Sequence, residues 1–250
     1  MKESFTYHEY VTDERFLADY NAYQAKYAKQ MRESDKVLVG LIRDVVEKRG
    51  NIGRPLRLLD VGCSTGNLLL HLKRLLPNLS LTGGDLAESS LEECRANSEL
   101  KGIDFKVADL LNLTADGFDI ITVNAVLYMM EEPQFERSLR SLSDALTSGG
   151  DLFVFDFFHP FEQHLSILEK SRSHPSGLRL IFRPIHRVNE QLAAVGFCNP
   201  VYRPFTLPID LPLIKDGELL TYTVPAADGR RLPFRGTLFQ PWCHMVVRKA

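Results

Sequence analysis

The chain lacks the marks of several protein classes. Its 250 residues hold four cysteines, Cys63, Cys94, Cys198 and Cys243, scattered and with no C-x-x-C pair. Neither a disulfide framework nor a zinc site is therefore expected, and reduced thiols in an intracellular setting are. No apolar run reaches the ~20 residues that cross a bilayer as a helix. The opening MKESFTYHEYVTDERF has no apolar signal core, so a cytoplasmic location is expected. No sign of charge dominates: the formal net charge is −2. Binding nucleic acid through its phosphates would want a concentrated basic face, and RRLPFR near residue 231 is too short to supply one. No repeat or low-complexity tract interrupts a composition that is 44% hydrophobic and 25% charged, which argues against disorder. A chain of this length can bury about 70–75% of the surface it exposes when unfolded.

What is present is an alternation of strands and helices. LRLLDV (56–61) reads as a buried strand, and NLLLHLKRLL as a one-sided helix with Leu68, Leu69, Leu72, Leu75 and Leu76 at helical spacing. Further units follow: strand 79–85 and a helix from Ser89 to about Glu99, strand 103–109, strand 118–125 and a helix from about Glu132 to Leu146. Gly149-Gly150 is read as ending that helix before a fifth strand, DLFVFDFF (151–158). Repeated units of this kind predict a parallel sheet with helices on both faces, and ligands beyond the carboxyl ends of the strands. Ahead of them, DERFLADYNAYQAKYAKQ reads as a helix with Phe16, Tyr20, Tyr23 and Tyr27 on one stripe. Ser34 is read as capping a second helix that ends at Gly50. After Phe158 the signals weaken. HPFEQHLSILEKS reads as a short helix, RLIFRP as a strand or loop, and IHRVNEQLAAVGF as a helix. Asp228-Gly229 marks a hairpin and FQPWCHMVVRK a strand returning to the sheet.

The turn GCSTG (62–66) joins the first strand to the first helix. Glycines there let backbone N–H groups approach a ligand, and the helix start adds partial positive charge. A dinucleotide turn G-x-G-x-x-G would put glycines at 62, 64 and 67, but Ser64 and Asn67 stand at the last two. A Walker loop is also missing. Three acids each close a successive strand: Asp60, Asp85 and Asp109. Carboxylates suit ribose hydroxyls, an exocyclic amine and a cation, and they repel a pyrophosphate.

LLDVGCSTGNLL, LTGGDLAESSLEECR, KVADLL, FDIITVNAVLYMM and ALTSGGDLFVFD resemble the successive motifs of the class I S-adenosylmethionine-dependent methyltransferases. The likeness covers roughly residues 55–158, with Ser64 where a glycine is often seen. It implies an α/β, Rossmann-like, doubly wound, mostly parallel seven-stranded sheet with N-terminal helices and a C-terminal cap carrying a β-hairpin. Within one domain it implies an N-terminal helical lid (1–50), a cofactor core (55–158), a cap over the strand ends (159–238) and a final strand (239–250). The implied cofactor is S-adenosylmethionine, held by Asp60, Gly62, Cys63, Ser64 and Gly66, by Asp85 and Leu86 at the ribose, by Asp109 and Leu110 at the adenine, and by Asn124. Tyr20, Tyr23 and Tyr27 are candidates to place a ring near the sulfonium, with Tyr27 among the cofactor residues, and Arg32 is a candidate to pair the cofactor carboxylate. Candidates for the chemistry are Tyr128, Asp156 and His159 at the ends of strands four and five. His159 could deprotonate a hydroxyl, or simply cap its strand beside Pro160. N-A-V-L at 124–127 departs from the N-P-P-Y of base-amine methylating relatives, so a small-molecule acceptor is expected, with no nucleic acid, membrane or metal. Phe197, Tyr202, Phe205 and Tyr222 are candidates for its pocket. The oligomeric state stays open. Alternatives are a carboxy-S-adenosylmethionine synthase, whose D-x-G-C-S-x-G turn DVGCSTG also resembles, a non-catalytic cofactor-binding partner, and an NAD-dependent oxidoreductase.

Overall fold

A computed structural model describes residues 7–50, 52–114, 116–170, 177–212, 221–236 and 238–250. His174 and the start of ELLTYTV lie outside these. In chain order the helices are α1 (Tyr7–Thr12), α2 (Glu14–Gln24), α3 (Glu33–Arg49), α4 (Asn67–Leu75), α5 (Glu88–Ala96), α6 (Glu132–Ala145) and α7 (Ile185–Ala194). The strands are β1 (Leu56–Val61), β2 (Leu79–Asp85), β3 (Asp104–Val107), β4 (Phe118–Asn124), β5 (Leu146–His159), β6 (Leu165–Glu169), β7 (Leu178–Pro184), β8 (Phe197–Pro204), β9 (Thr221–Pro225), β10 (Arg231–Arg235), β11 (Leu238–Phe239) and β12 (Trp242–Lys249).

Seven strands form the main path, β3-β2-β1-β4-β5-β12-β8, with β1 to β5 mutually parallel and β12 antiparallel to both neighbours. The order reverses between β1 and β4, which makes a crevice at their carboxyl ends. Strand alternation divides the core. Leu58, Ile120 and Phe153 join α3, α4 and α5 on one face, while Leu59, Ile121, Leu152 and Val154 join α6 and α7 on the other. Each such side chain contributes about 1.5–3 kcal/mol through burial. Helix α6 buries Phe135, Leu139 and Leu142 at i, i+4, i+7, and opens on a capping box between Glu131 and Gln134.

Four expectations are corrected. Ser34 is not a cap: α3 begins at Glu33, with Arg32 at the N-cap position and no side-chain cap. Acidic Glu33 and Asp35 fill its first turn instead, where the helix dipole favours them. Gly149-Gly150 does not end α6, which stops at Ala145. The glycines lie inside β5, where the register slips from Phe118↔Leu146 to Ile120↔Asp151 and Gly149 takes φ +71°. HPFEQHLSILEKS is not helical. Its Leu165–Glu169 is β6, antiparallel to β7, because alternation turns Ile167 toward the core while Leu168 stays exposed. Nor do the described residues of 159–238 line the crevice. Phe158 and His159 pair with β7, and Arg183 of β7 donates to the carbonyls of Leu127 and Met130. Strands β9, β10 and β11 form a separate three-stranded sheet, hinged on Gly229 at φ +79° and tied to β6 by Arg235–Glu169 at 2.9 Å.

Candidate active site

The turn after β1 runs through three left-handed residues: Gly62 (φ +77°), Ser64 (φ +48°) and Gly66 (φ +72°). Its glycines answer to space as well as to φ. A Cβ on Gly62 would sit 2.7 Å from Val126 Cγ2, and one on Gly66 2.8 Å from Leu100 Cδ1. Gly62 and Cys63 both donate to the Gly84 carbonyl, at 2.8 and 3.1 Å, so the turn is bolted to the end of β2. Ser64 has no such excuse for its φ; a non-glycine there carries backbone strain. Its N–H donates to Asp85 Oδ2 at 2.8 Å, which holds the strained residue in place.

The acids differ in surroundings. Asp85 is buried and also accepts from the Ala87 N–H at 2.9 Å; burial nevertheless raises its pKa. Asp60 is buried with one side-chain partner, Thr122 Oγ1 at 2.6 Å, and burial pushes its pKa up to about 7, with Asp35 and Asp85 adding to the rise. A cation arriving beside Asp60 would relieve that cost. Asp109 is half-buried at the carboxyl side of β3. It accepts from the Leu111 N–H at 2.9 Å and meets His8 Nε2 of α1 at 3.1 Å.

Two adjoining pockets lie at the β1/β4 crevice. The larger encloses about 690 Å³ and is lined by Gly62, Ser64, Asp85, Leu86, Asn124 and Tyr128 among others. The smaller, about 350 Å³, is lined by Asp60, Cys63, Asn67, Arg32 and Asn124 among others. Gly62, Ser64, Asn124 and Tyr20 line both. Among the described residues no lining residue lies beyond Met129, and Tyr7, Leu17 and Tyr20 of the N-terminal helices roof the pockets. Asn67 Nδ2 to the Gln24 carbonyl and His71 Nε2 to the Tyr27 carbonyl, both 2.9 Å, fasten that roof to α4.

Several expected site residues stand elsewhere. Tyr27 is outside both linings, its hydroxyl on Tyr23 at 3.0 Å; Tyr20, two turns earlier on the same stripe, lines both pockets. Leu110 is wholly buried in the core, and Gly66 shapes the turn from behind. Asp109 borders the larger pocket through Tyr7 without lining it.

Of the three candidates for the chemistry, only Tyr128 lines the crevice. Asp156 is fully buried and accepts from the N–H groups of Tyr128 and Phe157 at 3.0 and 2.7 Å, which anchors the 127–129 turn. Burial raises its pKa to about 6. His159 sits at the β5–β7 junction with both ring nitrogens unpaired, and burial lowers its pKa. Phe197 is core, Tyr202 bonds Asn189, Phe205 packs on Phe155 and Tyr222 stacks on Phe234; none lines either pocket. Among the described residues no group of three or more His, Cys, Asp and Glu is placed to hold a metal. No helix there is long and apolar enough to cross a membrane.

The reading of the sequence missed Asp35. It lies on the inward stripe of α3 with Leu38, Val39 and Ile42, yet it is a carboxylate. A charge in phase with an apolar stripe was the available signal.

A family model described as "Methyltransferase domain" matches residues 58–150. The chain is 32% identical over 120 residues to a carboxy-S-adenosyl-L-methionine synthase of Nitratiruptor sp., covering 47% of this chain and 49% of the relative. It is 26% identical over 141 residues to a malonyl-[acyl-carrier protein] O-methyltransferase of Bacillus cereus, covering 56% and 50%. The chain thus spans about half the length of the curated relatives it matches. The fold superposes on an S-adenosylmethionine-bound amino pentose methyltransferase from Micromonospora echinaspora with TM-score 0.57 at 17% identity, over 92% of this chain and 97% of that one. With the glycine turn, the strand-end acids and the reversed strand order in place, residues 58–150 match a methyltransferase domain, and the fold is that of the S-adenosylmethionine-bound methyltransferase it superposes on.

Proposed function

We propose that the chain transfers a methyl group from S-adenosylmethionine to an oxygen or nitrogen of a small molecule. The observation that carries this is the charge of the crevice. Buried Asp60 and Asp85 converge on the glycine turn, and among the described residues Arg32 is the one basic side chain lining either pocket. Such a lining fits a sulfonium, an ammonium and ribose hydroxyls, with Arg32 for a carboxylate; it does not fit a pyrophosphate. When bound, S-adenosylmethionine supplies an electrophilic methyl on sulfur. Asp85, which lines the larger pocket, is the acceptor for the ribose hydroxyls, and Leu86, Ala108 and Val126 give the adenine an apolar slot. The absence of a side chain at Gly62, where a Cβ would meet the pocket-lining Val126, keeps the turn open to close approach.

The remaining catalytic work is positional. The N-terminal roof excludes water, and Tyr128 sits where an acceptor would enter, its backbone fixed by Asp156. His159 has no share in this reading, since it lies outside both linings. Incubation with S-adenosylmethionine and a panel of hydroxyl- and amine-bearing small molecules, read by mass spectrometry, tests the proposal. Acceptor-dependent S-adenosylhomocysteine together with a methylated product is expected. Binding without turnover across the panel would leave a cofactor-binding partner instead. A second reading, synthesis of carboxy-S-adenosylmethionine, is supported by the DVGCSTG turn and the 32% identical stretch. A carboxylated sulfonium formed only when a carboxylic-acid donor is added to the incubation, with no methylated acceptor, would establish it.

A further inference from the structure

Asp35 is 1% exposed at the start of α3, and both of its oxygens are used. Oδ2 accepts from Arg32 Nε and Oδ1 from Asn124 Nδ2, each at 2.9 Å. Those two partners come from different layers of the molecule. Arg32 precedes α3 and lines the smaller pocket; Asn124 ends β4 and lines both. One carboxylate therefore joins the N-terminal segment to the sheet across the floor of the site. The backbone under it is held as well, since His244 Nε2 of β12 meets the Ser34 carbonyl at 3.1 Å.

We propose that Asp35 is a positioning residue that presets Arg32 to receive the α-carboxylate of the cofactor's methionyl part, with Asn124 tying Asp35 to the end of β4. The proposal rests on the S-adenosylmethionine reading of the site. Arg32 engages Asp35 through Nε, which leaves the terminal guanidinium nitrogens for the ligand and for Tyr20. An unanchored arginine would have to surrender its rotamer freedom on binding; here Asp35 has already taken it. Asp35 also places a second carboxylate near Asp60, adding negative field where the ammonium and sulfonium must sit.

The test uses two ligands of the intact protein. S-adenosylhomocysteine carries the amino-acid part; 5′-methylthioadenosine has the same adenosyl thioether without it. Asp35→Asn is expected to weaken S-adenosylhomocysteine by about tenfold or more, the scale for losing one charge-assisted partner, and to leave methylthioadenosine within about twofold. Arg32→Ala should do the same, and adding Asp35→Asn to it should cost less than about twofold more, since the two act as one unit. If Asp35→Asn does not fold, Asp35→Glu, which keeps the charge but displaces it from Arg32, gives the same discrimination. Equal losses for both ligands, or additive losses in the double variant, would overturn the proposal. Failure of the unaltered protein to bind either ligand would sink the reading of the site instead.

Discussion

Strands β1 to β5 and the segment between β5 and β12 encode their structure in different ways. In the first region β1 and β4 are apolar runs buried on nearly every residue of both faces. Burial on both faces leaves one solution, and β1 and β4 lie where their sequences place them. In the second region the apolar residues are spaced for more than one solution. Leu165 and Leu168 stand three apart and read as a helical stripe, yet both are exposed on β6, and only Ile167 between them turns to the core. The lesson is that a fully buried strand announces itself, whereas a half-exposed strand is set by the partner it finds, here β7.

The same division should separate the regions in function, with the largest contrast at Asp85. Asp85→Ala removes an acceptor of two backbone N–H groups and the expected ribose acceptor. It should weaken S-adenosylmethionine by about 30-fold or more, on the order of 2 kcal/mol, by calorimetry. Tyr222→Ala in the small sheet should leave that affinity unchanged. Equal losses would erase the distinction.

Glycines give the next contrast. Gly62→Ala meets Val126 Cγ2 at 2.7 Å in a left-handed turn, whereas Gly229→Ala meets nothing within 4 Å. Denaturant titration should show Gly62→Ala costing about 2–3 kcal/mol and Gly229→Ala about 1 kcal/mol, the backbone share alone. Similar costs would show that Val126 simply yields.

A smaller effect is expected with pH. Asp60 holds its proton up to about pH 7, and its ionised form attracts the cationic cofactor. Affinity for S-adenosylmethionine should therefore rise as pH climbs through about 7, and Asp60→Asn should flatten that rise. In the cofactor-free protein the sign reverses. The unfolded chain gives up this proton near the ordinary value of 3.8, so Asp60 subtracts stability progressively from there to about 7. A profile unchanged by Asp60→Asn would assign the titration to another group.

The smallest effect belongs to His159. His159 lines neither pocket and has no side-chain hydrogen-bond partner, so His159→Phe removes a buried polar burden while keeping a ring to meet Phe161. Methyl transfer should stay within about twofold, with stability equal or higher. A collapse in kcat at unchanged affinity would return His159 to the chemistry.

The site was legible in the sequence where it consists of backbone and strand ends. Asp60, Gly62, Ser64, Asp85, Leu86 and Asn124 line the crevice because a strand's last residue has one place to be. It was less legible where helices roof it. Tyr20 and Tyr27 share a stripe, and only the docking of α2 on Asn67 and His71 decides which one faces inward. Asp109 reads as an adenine ligand from its strand, but its meeting with His8, 101 residues away in sequence, follows from tertiary structure. Asp35 and Asn124 are 89 residues apart, and no local pattern joins them.

The most direct measurement is a calorimetric titration of the unaltered protein with S-adenosylmethionine and, separately, with NADH. A crevice lined by Asp60 and Asp85 should bind the first saturably and ignore the second. Binding of NADH, or no heat from S-adenosylmethionine, would contradict the account.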